Sequence, residues 1–237
     1  MRKKRKLSYW IFVRIPLWFI AVSLFFVTLF KWVPVRFTPV MLKRAVQMRK
    51  VEDYHIRQEW VPIRDISPEI VMAVIASEDN RFCTHSGFDW TEMGLMWKEH
   101  FKKGKKLRGC STLSQQTAKN VFTFGSPTLV RKVFESWYTF LIELIWGKQR
   151  IMEVYLNVAE TGRGLFGVGA ACETYWDTSP RRLSRDRAVS LAISLPSPVR
   201  YAPNTSRTAF LRRRHAQVMK LITQLSYPEW VTVMSNR

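Results

Sequence analysis

The chain has 237 residues, 38 Lys and Arg against 18 Asp and Glu, and a net charge of +20. That length allows one ordinary domain with an appendage, and 47% hydrophobic with 14% aromatic residues excludes a wholly disordered chain. Three Cys exclude a disulfide-built scaffold, and four scattered His without any C-x-x-C pair argue against structural zinc.

The charge is unevenly placed. Eight bases and no acid fall in residues 1–36, so residues 37–237 keep 30 bases against 18 acids. Such a body suits an anionic partner: phosphate, nucleic acid or a membrane surface. Arg2, Lys3, Lys4, Arg5 and Lys6 are consecutive cations, and residues 15–30 then carry no charge. Those sixteen residues fall short of the ~20 that a spanning helix needs. Counting from Leu7, with Arg14 snorkelling outward, brings the segment to full length, and Trp10, Trp18 and Trp32 suit the interfaces. A cleaved signal peptide is the alternative, but no small-x-small cleavage site follows the run. The cations belong on the cytoplasmic side, which places the body outside the inner membrane and weakens the nucleic-acid reading in favour of lipid headgroups or a phosphorylated lipid. The expected division is a basic cytoplasmic tail at 1–7, an anchor at 8–33, a connector at 34–50, the main domain at 51–225 and a tail at 226–237.

No internal repeat stands out. A short helix is expected at 39–48. Ser67 and Pro68 open another that runs into Glu78, with Ile70, Val71, Val74 and Ile75 at helical spacing. A helix at 90–101 puts Met93, Met96, Trp97 and Phe101 on one face. A cationic loop with Gly104 and Gly109 follows, then a helix at 112–122 and a Gly-Ser-Pro turn at 125–127. Helices are predicted at 129–146 and 148–160. A glycine-rich loop then enters a helix through Tyr175, and helices at 184–195 and 208–225 complete a mainly α domain.

Three segments can carry chemistry. Glu78 closes an apolar helix, where partial desolvation raises a carboxylate toward general-base range. Asp79, His85 and Asp89 can fix the loop after it. Ser111 or Thr112 can cap the next helix, whose N-terminal amides can face an anion, and Gln115 and Lys119 share one face. Lys119, Arg131 and Lys132 can clamp phosphates; a solvated polar face is the plain alternative. Arg131 and Glu135 are also four apart, as an ordinary helix ion pair or as a second active carboxylate beside a phosphate site.

Taken in order, these segments resemble the signature motifs of the family-51 peptidoglycan glycosyltransferases. The first, EDxxFxxHxGxD, is matched by Glu78, Asp79, Phe82, His85, Gly87 and Asp89. The second, GGSTxxQQxxKN, is matched by Gly109, Ser111, Thr112, Gln115, Gln116, Lys119 and Asn120, with Cys110 in place of its second Gly. The third, RKxxExxxxxxxE, is matched by Arg131, Lys132, Glu135 and Glu143. The fourth is matched by Tyr155, Leu156, Asn157, Gly162, Gly167, Ala170, Ala171 and Tyr175, with Trp176 for its usual terminal Phe. A fifth, looser match runs through Leu191, Ala192, Leu195, Pro196, Tyr201 and Pro203. The resemblance covers residues 50–220.

The resemblance implies a lysozyme-like helical domain behind one transmembrane helix, and an enzyme that polymerises lipid II into glycan strands. The acceptor's 4-hydroxyl attacks the donor's anomeric carbon with inversion, releasing undecaprenyl pyrophosphate. It makes Glu78 the general base and Glu135 the second catalytic glutamate, acting at the pyrophosphate. Ser111, Gln115, Lys119 and Arg131 would bind the donor, while Asp79, Phe82 and His85 would shape the site. No cofactor is obligatory; a divalent metal (Mg or Mn) at Glu135 is the one the resemblance leaves open. Implied partners are lipid II, the growing glycan strand, the membrane, and cell-wall synthesis or division proteins, with no nucleic acid. From the inverting reaction, the Glu78 and Glu135 carboxyls are expected well apart across a cleft.

The cations Lys98, Lys102, Lys103, Lys105, Lys106 and Arg108 on and after the Trp90–Phe101 face suggest an element that dips into the membrane; packing of that face into the core is the alternative. A glycan hydrolase would need no pyrophosphate clamp, and a non-catalytic scaffold would not need Glu78. No Ser-x-x-Lys occurs, so a monofunctional glycosyltransferase without transpeptidase activity is expected.

Overall fold

The computed structural model describes residues 10–51, 54–104, 111–124, 128–204 and 208–235. The basic tail, the Lys105–Cys110 part of the cationic loop and the turn at 125–127 lie outside them.

Helix α1 (Ile15–Trp32) follows one π-turn at Trp10–Arg14. The stretch Phe12–Trp32 has 21 residues, a mean hydropathy of 2.1 and little buried surface, so it is long and apolar enough to cross a membrane. The Arg14 guanidinium lies over the Trp10 ring at 4.1 Å. Helix α2 (Pro39–Met48) starts where sequence predicts, with Thr38 capping the Met41 amide.

Helix α3 (Pro68–Glu78) is the core of the domain. Ser67 accepts from the Glu69 amide and Pro68 occupies the first turn, so the start is doubly specified. Every residue from Ile70 to Ser77 is buried. A helix apolar on all sides must be surrounded, and three later helices pack around it: α9 (Arg185–Ser194), α10 (Ala209–Gln224) and α11 (Glu229–Ser235). Helix α4 (Trp90–Lys103) is capped by Asp89 and stopped by Gly104 in the left-handed region, at φ 60°.

Helices α5 (Leu113–Phe122), α6 (Leu129–Ile145) and α7 (Lys148–Val158) form a second packed group, with α5 against both neighbours. Helix α8 (Gly167–Trp176) completes the set. Helix α1 docks on this group. The Phe19 ring meets Phe134 edge-on at 5.4 Å, and Ser23 donates to the Tyr138 hydroxyl at 3.3 Å. Trp146 Nε1 donates to the Val27 carbonyl at 2.6 Å, and Arg150 donates to the carbonyls of Phe30 and Val33, both at 2.7 Å. The last carbonyls of a helix lack intrahelical donors, so a guanidinium there satisfies orphan acceptors and opposes the negative end of the dipole.

Two features differ from the sequence expectation. The helix predicted at 148–160 ends at Val158, because Ala159 turns extended and residues 160–162 enter a sheet. That sheet has the order β1-β3-β2: β1 (Arg57–Gln58) runs parallel to β3 (Leu165–Phe166), and β2 (Glu160–Gly162) is antiparallel to it. Strands of two or three residues are too short to leave a period in the sequence. The C-terminal segment, expected as a tail, contains α11, whose Val231 is buried.

Candidate active site

Glu78 sits at the last position of α3, partly exposed where the residues before it are buried. Gln116 Nε2 donates to its Oε2 at 3.2 Å and Ser77 Oγ to its Oε1 at 3.3 Å. Burial pushes the Glu78 carboxyl above the usual range; these hydrogen bonds and the charges of Arg214 and Lys119 oppose the shift without cancelling it. Arg214 is held close by donating to the Ser77 carbonyl at 2.7 Å. The Tyr155 hydroxyl donates to Gln116 Oε1 at 3.4 Å. Gln116 therefore receives on its oxygen and gives from its nitrogen, which fixes its amide toward Glu78. Tyr155 is itself kept protonated by burial and by the Glu78 charge.

The residues after Glu78 build the frame. Asp79 receives His85 Nε2 at 3.0 Å and the Leu113 amide at 2.9 Å. The Thr112 hydroxyl donates to the Gly87 carbonyl at 2.6 Å. Gly87 is at φ 85°, and a Cβ there would lie 2.9 Å from Thr139 of α6. Asp89 pairs with Arg81 at 3.3 Å. Phe82 is fully buried, with Lys148 Nζ 4.7 Å from its ring centre. These contacts bind the loop to the start of α5. The side chains of Asp79, Phe82 and His85 are buried within this frame.

Helix α5 carries the polar face. Thr112 and Gln115 form a capping box: Thr112 Oγ1 accepts from the Gln115 amide, and Gln115 Oε1 accepts from the Thr112 amide. The side-chain oxygen of Gln115 is thus turned back on its own helix. Its neighbour Gln116 reaches Glu78 and lines the cleft. Ser111 lies just before the cap, and its carbonyl accepts from Gln116 at 3.4 Å. Burial pulls the Lys119 ammonium below the usual lysine range; Glu135 opposes this, Arg131 and Lys132 add to it, and Glu78 opposes it.

Glu135 is almost fully buried on α6. Arg131 Nη1 donates to its Oε1, and Lys132 Nζ sits 2.9 Å from its Oε2. The two glutamates are therefore held by different partners, Glu78 by Ser77 and Gln116, Glu135 by two cations. Glu143 receives Ser114 Oγ and Lys148 Nζ, the latter at 2.7 Å, and is structural. A divalent ion at Glu135 would have to displace Arg131 or Lys132. Among the described residues no group of three or more His, Cys, Asp or Glu is placed to hold one. The donor set does not fit a protein-held metal.

A cleft of ≈ 430 Å³ runs along this face. Gln116, Lys119, Asn120 and Arg131 form one wall, Lys43, Arg44 and Gln47 of α2 another. Glu160 also lines it, paired with Arg44 at 2.8 Å and pushed up by burial.

The family model for transglycosylases matches residues 44–223. The chain belongs to the transglycosylase family. Among its relatives, a protein of Bacteroides thetaiotaomicron is 43% identical over 208 residues, covering 87% of this chain and 83% of that protein. One of Pseudomonas putida strain KT2440 is 40% identical over 224 residues, 94% of each chain. One of Mannheimia succiniciproducens is 38% identical over 210 residues, 88% of this chain and 85% of that protein. All three carry the name biosynthetic peptidoglycan transglycosylase. The matched region starts inside α2 at Arg44, one of the residues that line the cleft.

Sequence reasoning gave this transglycosylase site no role for Gln116, Tyr155, Arg44 or Glu160. Gln116 had a signal, since it lies three residues before Lys119 and thus also on its face. Arg44 and Glu160 are 116 residues apart, and no local pattern joins them.

Proposed function

We propose that this transglycosylase is a peptidoglycan glycosyltransferase that polymerises lipid II into glycan strands, inverting the donor anomeric carbon and releasing undecaprenyl pyrophosphate. The observation that carries the reading is the Glu78–Gln116 contact: a partly buried carboxylate tied to the helix that presents Lys119 to the cleft.

Glu78 is the base. Its raised proton affinity suits the removal of a proton from the acceptor's 4-hydroxyl as that oxygen attacks. The new bond forms between this oxygen and the anomeric carbon. The carbon–phosphate oxygen bond breaks on the opposite face, its electron pair leaves with the pyrophosphate, and the proton stays on Glu78. Lys119 and Arg131 receive the departing charge, with donors fixed in place before reaction. Glu135 orients Arg131 and Lys132 through their ion pairs. Ser111 and Gln115 stand at the donor end of α5.

The 21-residue apolar stretch Phe12–Trp32 supports a membrane location for this chemistry. With the cationic tail on the cytoplasmic side, the domain faces outward at the inner membrane. Helix α4 supports the same placement: Trp90, Leu95, Trp97 and Phe101 are all at least half exposed, and Trp97 stacks on Phe101 at 5.5 Å. Such a face suits the acyl boundary rather than water.

The test is gel-resolved polymerisation of labelled lipid II by purified protein, wild type beside Glu78→Gln. Long glycan from wild type and almost none from the variant is expected. Equal product from both overturns Glu78 as the base, and no product from folded wild type overturns the reaction.

A further inference from the structure

Glu78 stands at the C-terminal end of α3, the unfavourable end for a carboxylate. The aligned peptide dipoles leave a partial negative charge there, and the last carbonyls lack intrahelical donors. The dipole adds to burial in holding a proton on the group. A base that keeps its proton accepts nothing, so the fold has to oppose this. Arg214 of α10 does so. Its Nη2 donates to the Ser77 carbonyl at 2.7 Å, in the last turn of α3. Ser77 is the residue before the base, and its Oγ donates to Glu78 Oε1 at 3.3 Å. One cation thus satisfies an orphan acceptor, opposes the dipole and acts electrostatically on the carboxylate.

Helix α10 is built to bring it there. Leu211, His215, Val218 and Ile222 are its buried positions, and residue 214 falls beside them at helical spacing. Arg212 and Arg213 are exposed. His215 Nε2 lies 3.1 Å from Asp186 of α9, and α10 packs on both α9 and α3. Among the described residues, Arg185 is paired with Glu69 and His215 with Asp186, whereas the hydrogen bond of Arg214 goes to a carbonyl. Its charge is not spent on a neighbouring acid.

The other groups that act on Glu78 are Ser77 of its own helix and Gln116 and Lys119 of α5. Tyr155 of α7 also feels the Glu78 charge, and its hydroxyl stays protonated and neutral. Two cations therefore act on the base, and they differ in place. Lys119 lines the cleft, whereas Arg214 reaches α3 from outside the cleft lining. A diphosphate bound at Lys119 takes up that charge, and the charge of Arg214 stays with Glu78.

We propose that Arg214 is a positioning residue of this reaction: it holds the end of α3 and keeps the Glu78 carboxylate able to take the acceptor's proton while Lys119 is occupied by the leaving diphosphate. This rests on the reading of Glu78 as the base.

The experiment measures kcat/KM for polymerisation of labelled lipid II against pH, with the full chain in detergent. Arg214→Gln keeps a donor for the Ser77 carbonyl and removes the charge, and Arg214→Lys keeps the charge. The acid limb of Arg214→Gln should move to higher pH by about 0.5–1 pH unit, with the rate recovering toward wild type once the base form appears. Arg214→Lys should hold the limb near its wild-type place, and so should Arg213→Gln, a change at an exposed position of α10. A second readout needs no turnover. The gap in melting temperature between Glu78→Gln and its parent at neutral pH should be wider in the Arg214→Gln background than in wild type, because a carboxyl of higher folded proton affinity costs more to ionise. A limb or a melting gap that stays in place in folded Arg214→Gln overturns the proposal. So does a rise in KM without movement of the limb, which would put Arg214 on the substrate. If Arg214→Gln does not fold, Arg214→Met, uncharged and of similar reach, gives the same two readings. Glu78→Gln as active as wild type defeats the reading of the base instead, whatever the Arg214 variants do.

Discussion

Asp79 accepts the backbone amide of Leu113 at 2.9 Å, so the residue after Glu78 is fastened to the first turn of the helix that carries Gln116 and Lys119. Glu78 and Lys119 are thereby held in one frame although they lie in segments more than thirty residues apart. Asp79→Ala should lower stability by about 2–3 kcal/mol, the loss of buried charge-assisted hydrogen bonds. Its kcat should fall more than its KM rises. Asp79→Asn keeps an acceptor for Leu113 and should recover part of both. Melting curves and steady-state polymerisation on the two variants check this.

The pH–rate profile should be a bell. The acid limb follows Glu78, which burial holds above the usual carboxylate range, so activity rises as the base form appears. The alkaline limb follows Lys119, which burial holds below the usual lysine range, so activity falls as the ammonium is lost. Lys119→Arg should push the alkaline limb out to higher pH.

Glu78→Gln should be more stable than wild type at neutral pH while inactive. A carboxyl whose folded proton affinity is raised loses stability as pH rises from its unfolded value through its folded one. The gap between variant and wild type should therefore vanish in acid and open as pH climbs past the usual carboxylate range. Melting temperature against pH measures it, at about 2–4 °C per kcal/mol.

The adjacent glutamines should separate. Gln115→Ala breaks a capping box and should cost about 1 kcal/mol of stability. Gln116→Ala frees Glu78 and Tyr155 from each other and should lower kcat about tenfold with little change in melting. If Gln115→Ala instead raises KM for the donor, its amide nitrogen serves the substrate as the motif suggests.

Gly167→Ala should cost about 3 kcal/mol. The residue is at φ 81°, and a Cβ would lie 2.6 Å from the Asn157 carbonyl oxygen. Asn157 also holds Val61, by accepting its amide at 2.7 Å and donating to its carbonyl at 2.8 Å. Thermal melting of the purified variant is the check.

The helices were legible because their ends are written in short-range chemistry: Thr38, Ser67, Asp89, Thr112 and Thr128 all cap where they stand. The small sheet was not, since Arg57 meets Leu165 by tertiary pairing and two residues make no pattern. In the site, helical spacing placed Lys119 with a glutamine but could not tell Gln115 from Gln116. The capping box decided that, and it depends on which way one amide turns. The Arg44–Glu160 pair depends on how the juxtamembrane helix folds back, which local sequence does not encode.

Arg150 grips the carbonyls of Phe30 and Val33, and Trp146 holds that of Val27, so the anchor ends on a fixed mount instead of a swivel. If α1 spans the bilayer as proposed, a body mounted in this way would keep one altitude and one heading above the lipid plane. A strand leaving the cleft would then do so on a constant bearing relative to α1, and torque on the strand would pass to that helix.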